Sequence, residues 1–372
     1  MKKQIILFLL SFLSVHLNAQ NLNWVKGIGS TGLDQGRTVA SDAAGNMYLT
    51  GNFSATVDFD PGSGIFNLTA FGQYDGFVLK LDPLGNFMWA KQFGGVNEEF
   101  SENIAVDNTG NVIIGGHYIG TADFNPGPST FNLTSNGSED IFILKLDPSG
   151  SFLWAKSIGG VNSDQNFAVE VDPSGNVYAV GVFTFTVDFD PGAGNFNLNF
   201  SNGNGYIFKL DASGNFSWAK QIKAGVEDIH IDAAGNIYLT GNFGGTVDFD
   251  LGAAVFNLTA SASDMYVTKL NSAGNFTWAK KMGGNLSIES ISICTDLNGN
   301  IYTTGRFEGT VDFNPGAATN NITSNGEWDA FISKLDASGN FVWVDKIGGA
   351  NWEYAFGVDV DASGNVYIGG AF

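Results

Sequence analysis

Phe77-Val78-Leu79-Lys80-Leu81-Asp82-Pro83-Leu84-Gly85-Asn86-Phe87-Met88-Trp89-Ala90-Lys91 is the stretch that decides how this chain folds. Two short apolar runs flank the five residues Asp-Pro-Leu-Gly-Asn. Asp caps its own turn, Pro presets φ at the second place, and Gly supplies a left-handed backbone. A tight turn of this kind joins antiparallel neighbours. The same grammar stands upstream, where Asp42-Ala43-Ala44-Gly45-Asn46 separates two further runs. The unit from Arg37 to Gly95 therefore predicts four strands, at 38–41, 47–53, 76–81 and 87–93.

The unit recurs. Tryptophan stands at Trp24, Trp89, Trp154, Trp218, Trp278 and Trp343, in steps of 65, 65, 64, 60 and 65. A four-stranded sheet of this size cannot bury both faces alone, so copies must stack. The expected fold is all-β: a β-propeller of four-stranded antiparallel blades, about 65 residues each, with the indoles between blades. A parallel β-helix is the alternative architecture. Strands ending at Asp42, Asp107, Asp172, Asp232, Asp296 and Asp361 number six and form the innermost row. Third strands number five, and Phe372 aligns with Phe53. The expectation is five complete blades plus a partial sixth, truncated mid-blade at the C-terminus. Trp24 would open an amino-terminal strand that completes the last blade.

Composition frames the setting. Lys2 and Lys3 precede an apolar run from Ile5 to Val15 and the small residues near Ala19, as in a secretory signal peptide. This divides the chain into 1–19, removed on export, and a propeller domain at 20–372. Removing the two basic residues of that segment leaves fifteen against thirty-seven acidic ones, a net −22. Such a field repels phosphate backbones and argues against nucleic acid and anionic membrane as partners. The absence of any long apolar run beyond the signal argues against membrane insertion, and a monomer is expected. A single cysteine, Cys294, leaves no internal disulfide.

The strings Asp172-Pro173-Ser174-Gly175-Asn176-Val177-Tyr178, Phe142-Ile143-Leu144-Lys145-Leu146-Asp147 and Leu153-Trp154-Ala155-Lys156 resemble the SBBP (seven-bladed β-propeller) repeat of secreted bacterial proteins. The resemblance covers nearly all of 20–372. It implies a propeller and a secreted, extracellular or cell-surface location, and it carries over no catalytic residue.

Three groups of residues could carry chemistry. Lys80, Lys145, Lys209, Lys269 and Lys334 sit in third strands, and Lys26, Lys91, Lys156, Lys220 and Lys280 follow tryptophans. Ten lysines at two repeat positions read as structural partners of the repeated aspartates. The second group lies between second and third strands, at Asp58/Asp60, Asp123/Asn125, Asp188/Asp190, Asp248/Asp250 and Asp312/Asn314. Alternation predicts a small hairpin turning at Pro-Gly, and a ring of such hairpins is expected at one end of the propeller. Their paired carboxylates could hold Ca²⁺ or cap turns. The third group lies two residues before each inner-strand aspartate: Ala40, Ala105, Glu170, His230, Cys294 and Asp359. These could gather near the axis, where all four polar types can bind metals or move protons. Successive blades could also hold them too far apart to cooperate.

The functional expectation is an exported binding, adhesion or scaffold module acting through the acidic hairpin-bearing end on a glycan, a surface protein or calcium. The alternative is a hydrolase- or lyase-type enzyme with its site in the central channel.

Overall fold

A computed structural model describes residues 24–371, and the segment 1–19 expected to be a signal peptide lies outside them. The described chain is entirely strands and turns, arranged as a β-propeller. The first blade comprises Asp34–Ser41, Met47–Phe53, Asp75–Leu81 and Phe87–Gly95. The second comprises Glu99–Val106, Val112–Asp123, Asn132–Leu146 and Phe152–Ile158. Gln165–Val171, Val177–Asp188, Asn197–Leu210 and Phe216–Ile222 form the third. The fourth holds Asp228–Ile231, Ile237–Asp248, Asn257–Leu270 and Phe276–Gly284. The fifth holds Ile288–Thr295, Ile301–Phe307, Asp329–Leu335 and Phe341–Ile347, and Tyr354–Val360 with Val366–Ala371 begins another. Neighbours within each blade are antiparallel.

The expected strands of the first unit fall within two residues of the observed ones at every boundary but one. The inner strand starts at Asp34 because a bulge between Gly36 and Thr38 lets pairing continue. The segment at Trp24 differs from its expectation: residues 24–30 form no strand.

The core lies between blades. Tyr48, Val78 and Phe93 of the first blade share one apolar cluster with Ile114, Tyr118 and Phe142 of the second. The third and fourth blades, and the fourth and fifth, share clusters of the same make-up. At the rim of each of the first four junctions, an indole rests on the turn glycine of the following blade. A Cβ on Gly214 would stand 3.0 Å from Trp154, and one on Gly274 would stand 2.9 Å from Trp218. Trp154 Nε1 also donates to the Ala212 carbonyl at 3.3 Å. These glycines have φ of 79° and 75°, so the turn needs glycine twice over, for its backbone and for its neighbour. Trp24 packs on Gly85 in the same way, although it sits in no strand.

The Asp-x-x-Gly-Asn turns between first and second strands share one wiring, except that Ile113 stands in the tyrosine's place at the Asp107 turn. Asp42 Oδ1 accepts from the amides of Ala44 and Asn46, and Oδ2 accepts from Asn46 Nδ2 and the Tyr48 hydroxyl. The third-strand lysine completes it: Nζ lies 3.0 Å from Asp107 at Lys145, 3.3 Å from Asp172 at Lys209 and 3.7 Å from Asp296 at Lys334. Lys80, Lys209, Lys269 and Lys334 also lie 4.7–4.8 Å above the rings of Tyr48, Tyr178, Tyr238 and Tyr302.

The hairpins between second and third strands fold back. Each strand pair bends at one position, Ala55, Gly120, Phe185, Gly245 or Gly309, where φ lies between 58° and 75°. Beyond the bend, Phe59 packs against Phe53 and Phe77, and the Phe66 ring lies tilted 5.0 Å from Phe87 at the far end of the outer strand. The hairpins therefore run down the outer wall, which corrects the expected ring of hairpins at one end. Their edges also join blades, because Gly94 and Gly95 pair with Asp123 and Ala122, and Gly283 and Gly284 pair with Asp312 and Val311.

Candidate functional site

The six inner strands surround one axial cavity. Nearer the blade-to-blade loops it opens to about 750 Å³, and Arg37, Glu102, Phe167, Glu227, Ile291 and Phe356, all at one repeat position, border it. Nearer the Asp-x-x-Gly-Asn turns it continues as about 320 Å³, bordered by Ala40, Ala105, Glu170, His230, Cys294 and Asp359. The rows lie three residues apart, which strict alternation would turn to opposite faces; a bulge that leaves Arg37, Glu102, Phe167, Ile291 and Phe356 without ladder partners lets both border the axis.

Of the four polar groups singled out in the sequence, the structure brings two into contact. His230 Nδ1 lies 3.4 Å from Glu170 Oε1, across the third and fourth blades. Burial opposes the imidazolium, but the Glu170 carboxylate, with Asp228 and Asp232 behind it, raises the His230 pKa above its ordinary value. Cys294 and Asp359 border the same cavity from the next two blades. Burial, with the charges of Asp359, Asp228 and Asp296, drives the Cys294 thiol far above the usual range. A thiol so placed stays protonated near neutrality and is a poor nucleophile.

Between the two rows runs a polar stitch that periodicity alone did not single out. Thr38 Oγ1 donates to the Glu102 carbonyl at 3.1 Å, and Asn103 Oδ1 accepts from the Val169 amide at 3.3 Å. Asp228 Oδ2 accepts from the Ile293 amide at 2.9 Å, and Ser292 Oγ from the Val358 amide at 3.4 Å. Each reaches from one inner strand to the next. Alignment of the inner strands would have found the row, since Thr, Asn, Asp and Ser share one register. Burial outweighs these bonds at Asp228 and pushes it up to about 6.

The wide part is acidic. Glu227 is pushed up to about 7 by burial and by the charges of Glu289 and Asp228. Glu102 is raised by burial, against the pull of Arg37 at 3.6 Å. Glu102, Glu227, Asp228 and Asp359 thus border the same space as one arginine.

The hairpin carboxylates are engaged locally. Asp58 Oδ1 accepts from the amides of Asp60 and Phe66, and Asp60 Oδ1 accepts from Gly62. Asp188 and Asp190 repeat this, as do Asp248 and Asp250. Asp123 and Asp312 do the same with Asn125 and Asn314 in the second place, which only the amide-accepting role of that place requires. Among the described residues, no three His, Cys, Asp or Glu side chains converge as a metal-binding group. No helix of the described residues is long and apolar enough to cross a membrane.

No protein-family model matches the chain. An uncharacterized WD repeat-containing protein of Acanthamoeba polyphaga mimivirus is 24% identical over 430 residues, covering 94% of this chain and 31% of that protein. The regulatory protein FlaEY of Caulobacter vibrioides is 24% identical over 145 residues, 39% of this chain and 15% of that protein. The chain thus spans about a third of the first relative's length and less than a sixth of the second's. Among solved structures, a protein of unknown function from Bacteroides caccae covers 84% of the chain at TM-score 0.38 and 10% identity, matching over 82% of its own length. BamB from Moraxella catarrhalis covers 92% at TM-score 0.35 and 13% identity, over 99% of its own length. The chain is a β-propeller repeat protein.

Proposed function

We propose that this chain is a binding or scaffold module of the SBBP-repeat kind, exported by its amino-terminal segment, whose ligand enters the wide part of the axial cavity with a cationic group. One observation carries the reading: Glu102, Glu227, Asp228 and Asp359 surround a single space that holds one arginine. Carboxylates partly withdrawn from water favour a ligand that returns positive charge to them. A glycan or a surface protein can present such a group, as an amino sugar or as a lysine- or arginine-bearing loop. The acidic hairpins are the competing surface, and calcium their competing ligand.

Titration calorimetry with a hexa-arginine peptide tests this. The wild-type chain is expected to bind, and Glu102→Gln with Glu227→Gln to weaken binding at least about tenfold, roughly 1.4 kcal/mol. Equal binding by the double variant overturns the reading. A loss of binding on calcium chelation that the double variant leaves untouched moves the site to the hairpins at Asp58, Asp60 and their repeats.

The contact between Glu170 and His230 favours a second reading, a general acid–base pair serving a hydrolase or lyase reaction in the narrow part of the cavity. Cys294, held protonated, and Asp359 would then shape the pocket without attacking substrate. His230→Ala leaving every measured turnover intact ends that reading.

A further inference from the structure

Each blade junction holds a side chain from the start of a third strand, one from the outer strand beside it, and one from the start of the next inner strand. The repeat supplies its own controls. At the fourth-to-fifth junction these are Asp264, Lys281 and Ile288, and Lys281 Nζ lies 2.6 Å from the buried Asp264 carboxylate. At the next junction Lys346 lies 3.4 Å from Asp329. At the third-to-fourth junction the charge is removed on both sides, by Asn204 and Gln221. The first two junctions differ. The first holds Asp75, Gln92 and Glu99, and the second holds Asp140, Ser157 and Asp164.

All four of these carboxyl groups are fully buried. A Cβ on Gly94 would stand 2.7 Å from both Asp75 Cγ and Glu99 Oε2, so the two acids converge on one backbone position. Gln92 Nε2 donates to Asp75 Oδ2 at 2.5 Å, and the Gly95 amide donates to Glu99 Oε2 at 3.0 Å. Glu99 Oε1 and Asp140 Oδ1 are buried without a partner. Asp164 accepts from the amides of Gly160 and Thr184. None of the ion pairs among the described residues uses these four acids. The other titratable groups facing the first pair are Glu98 and Tyr118. Tyr118 and Tyr206 face the second, and Glu139 stands beside it, held by Ser163 and Gln165. None of these can supply positive charge.

We propose that the first two blade junctions are closed by protons where the fourth is closed by a lysine, so that they loosen as pH rises while the fourth does not. An isolated buried carboxylate pair is costly, and a proton is the compensation that costs least space. Burial, opposed only in part by the Gly95 amide and aided by the charges of Asp75 and Glu98, raises Glu99 to about 8. Burial lifts Asp140 and Asp164 to about 6. Raised carboxyl pKa values mean that the folded state holds more protons than the unfolded one between roughly pH 4 and pH 8, so stability falls as pH rises through that window.

Hydrogen exchange of the full chain tests this, with intrinsic exchange rates corrected for pH. Between about pH 5.5 and about pH 8.5, opening at segments 74–99 and 139–164 is expected to rise roughly tenfold or more, with segments 261–288 unchanged. Glu99→Gln is expected to abolish the rise at 74–99 only. Gln92→Lys, which installs the arrangement of Lys281, is expected to flatten it too and covers the case in which Glu99→Gln misfolds. The protonated-carboxyl C=O infrared band at neutral pH should weaken in Glu99→Gln. A uniform pH response at all junctions, or none, overturns the proposal, as does an infrared band that Glu99→Gln leaves unchanged.

Discussion

The rim and the axis of this propeller carry opposite kinds of sequence. At the rim, Trp89, Trp154, Trp218 and Trp278 repeat one side chain on one turn glycine of the following blade, at Gly150, Gly214, Gly274 and Gly339. At the axis, one repeat position reads Ala40, Ala105, Glu170, His230, Cys294 and Asp359. Copies of a blade can stack only if their edges match, so rim residues are bound to their neighbours' identity. Axial residues face a shared space and need not match one another. Repetition here marks what holds the ring together, and departure from repetition marks where a ligand would be distinguished.

Substitutions at the two places should differ accordingly. Trp154→Ala removes a large ring from between the second and third blades and is expected to cost about 3 kcal/mol, read as a fall in denaturation midpoint. A loss below about 1 kcal/mol would mean that the rim is not where the junction is secured.

Asp107→Ala comes next, at about 2 kcal/mol, because it frees the amides of Thr109 and Asn111 and leaves Lys145 buried without its partner. Burial raises the Asp107 pKa, but hydrogen bonds from Thr109, Asn111 and Lys145 outweigh it and bring it down to about 2. A depressed carboxyl pKa gives stability that is complete above about pH 4 and is lost as pH falls through about 2. Acid titration of wild type against the variant should show the difference between them vanish over that interval.

A smaller effect of opposite sign is expected at the bend of the third blade's hairpin. Phe185 has φ of 61° and is half exposed, so it strains the backbone without filling a core. Phe185→Gly should raise stability by about 1 kcal/mol in chemical denaturation. Smallest of all, His230→Ala at the axis should move stability by no more than about 0.5 kcal/mol, since the pair it breaks is partly open to water. A loss as large as that of Trp154→Ala would erase the contrast between rim and axis.

The rim was legible in the sequence because its signals are local. A turn of five residues and one tryptophan recur at a nearly fixed step, and the lysines fall in register with the aspartates they reach. Alignment also exposed the axial row, but not that His230 and Glu170 touch, which depends on the inclination of neighbouring blades. The direction of the hairpins was hidden for a different reason. Gly120, Gly245 and Gly309 mark a left-handed bend, but Ala55 and Phe185 occupy the same place and mask it. Asp75 and Glu99 were illegible as a pair because each resembles an ordinary strand-end residue. Only packing of one blade on the next closes the space between them.

Pairing of Gly94 and Gly95 with Asp123 and Ala122, and of Gly283 and Gly284 with Asp312 and Val311, makes the outer wall resemble a hooped cask. Those hydrogen bonds run tangentially, so an object wedged into the axis would load them as tension along the circumference. Neither the joint between the second and third blades nor that between the third and fourth has such a hoop among the described residues, and at the latter the spacing from tryptophan to inner-strand aspartate, Trp218 to Asp232, is four residues shorter than elsewhere. Swelling of the ring is therefore expected to part the wall there first, which cross-links placed across hooped and unhooped joints would register.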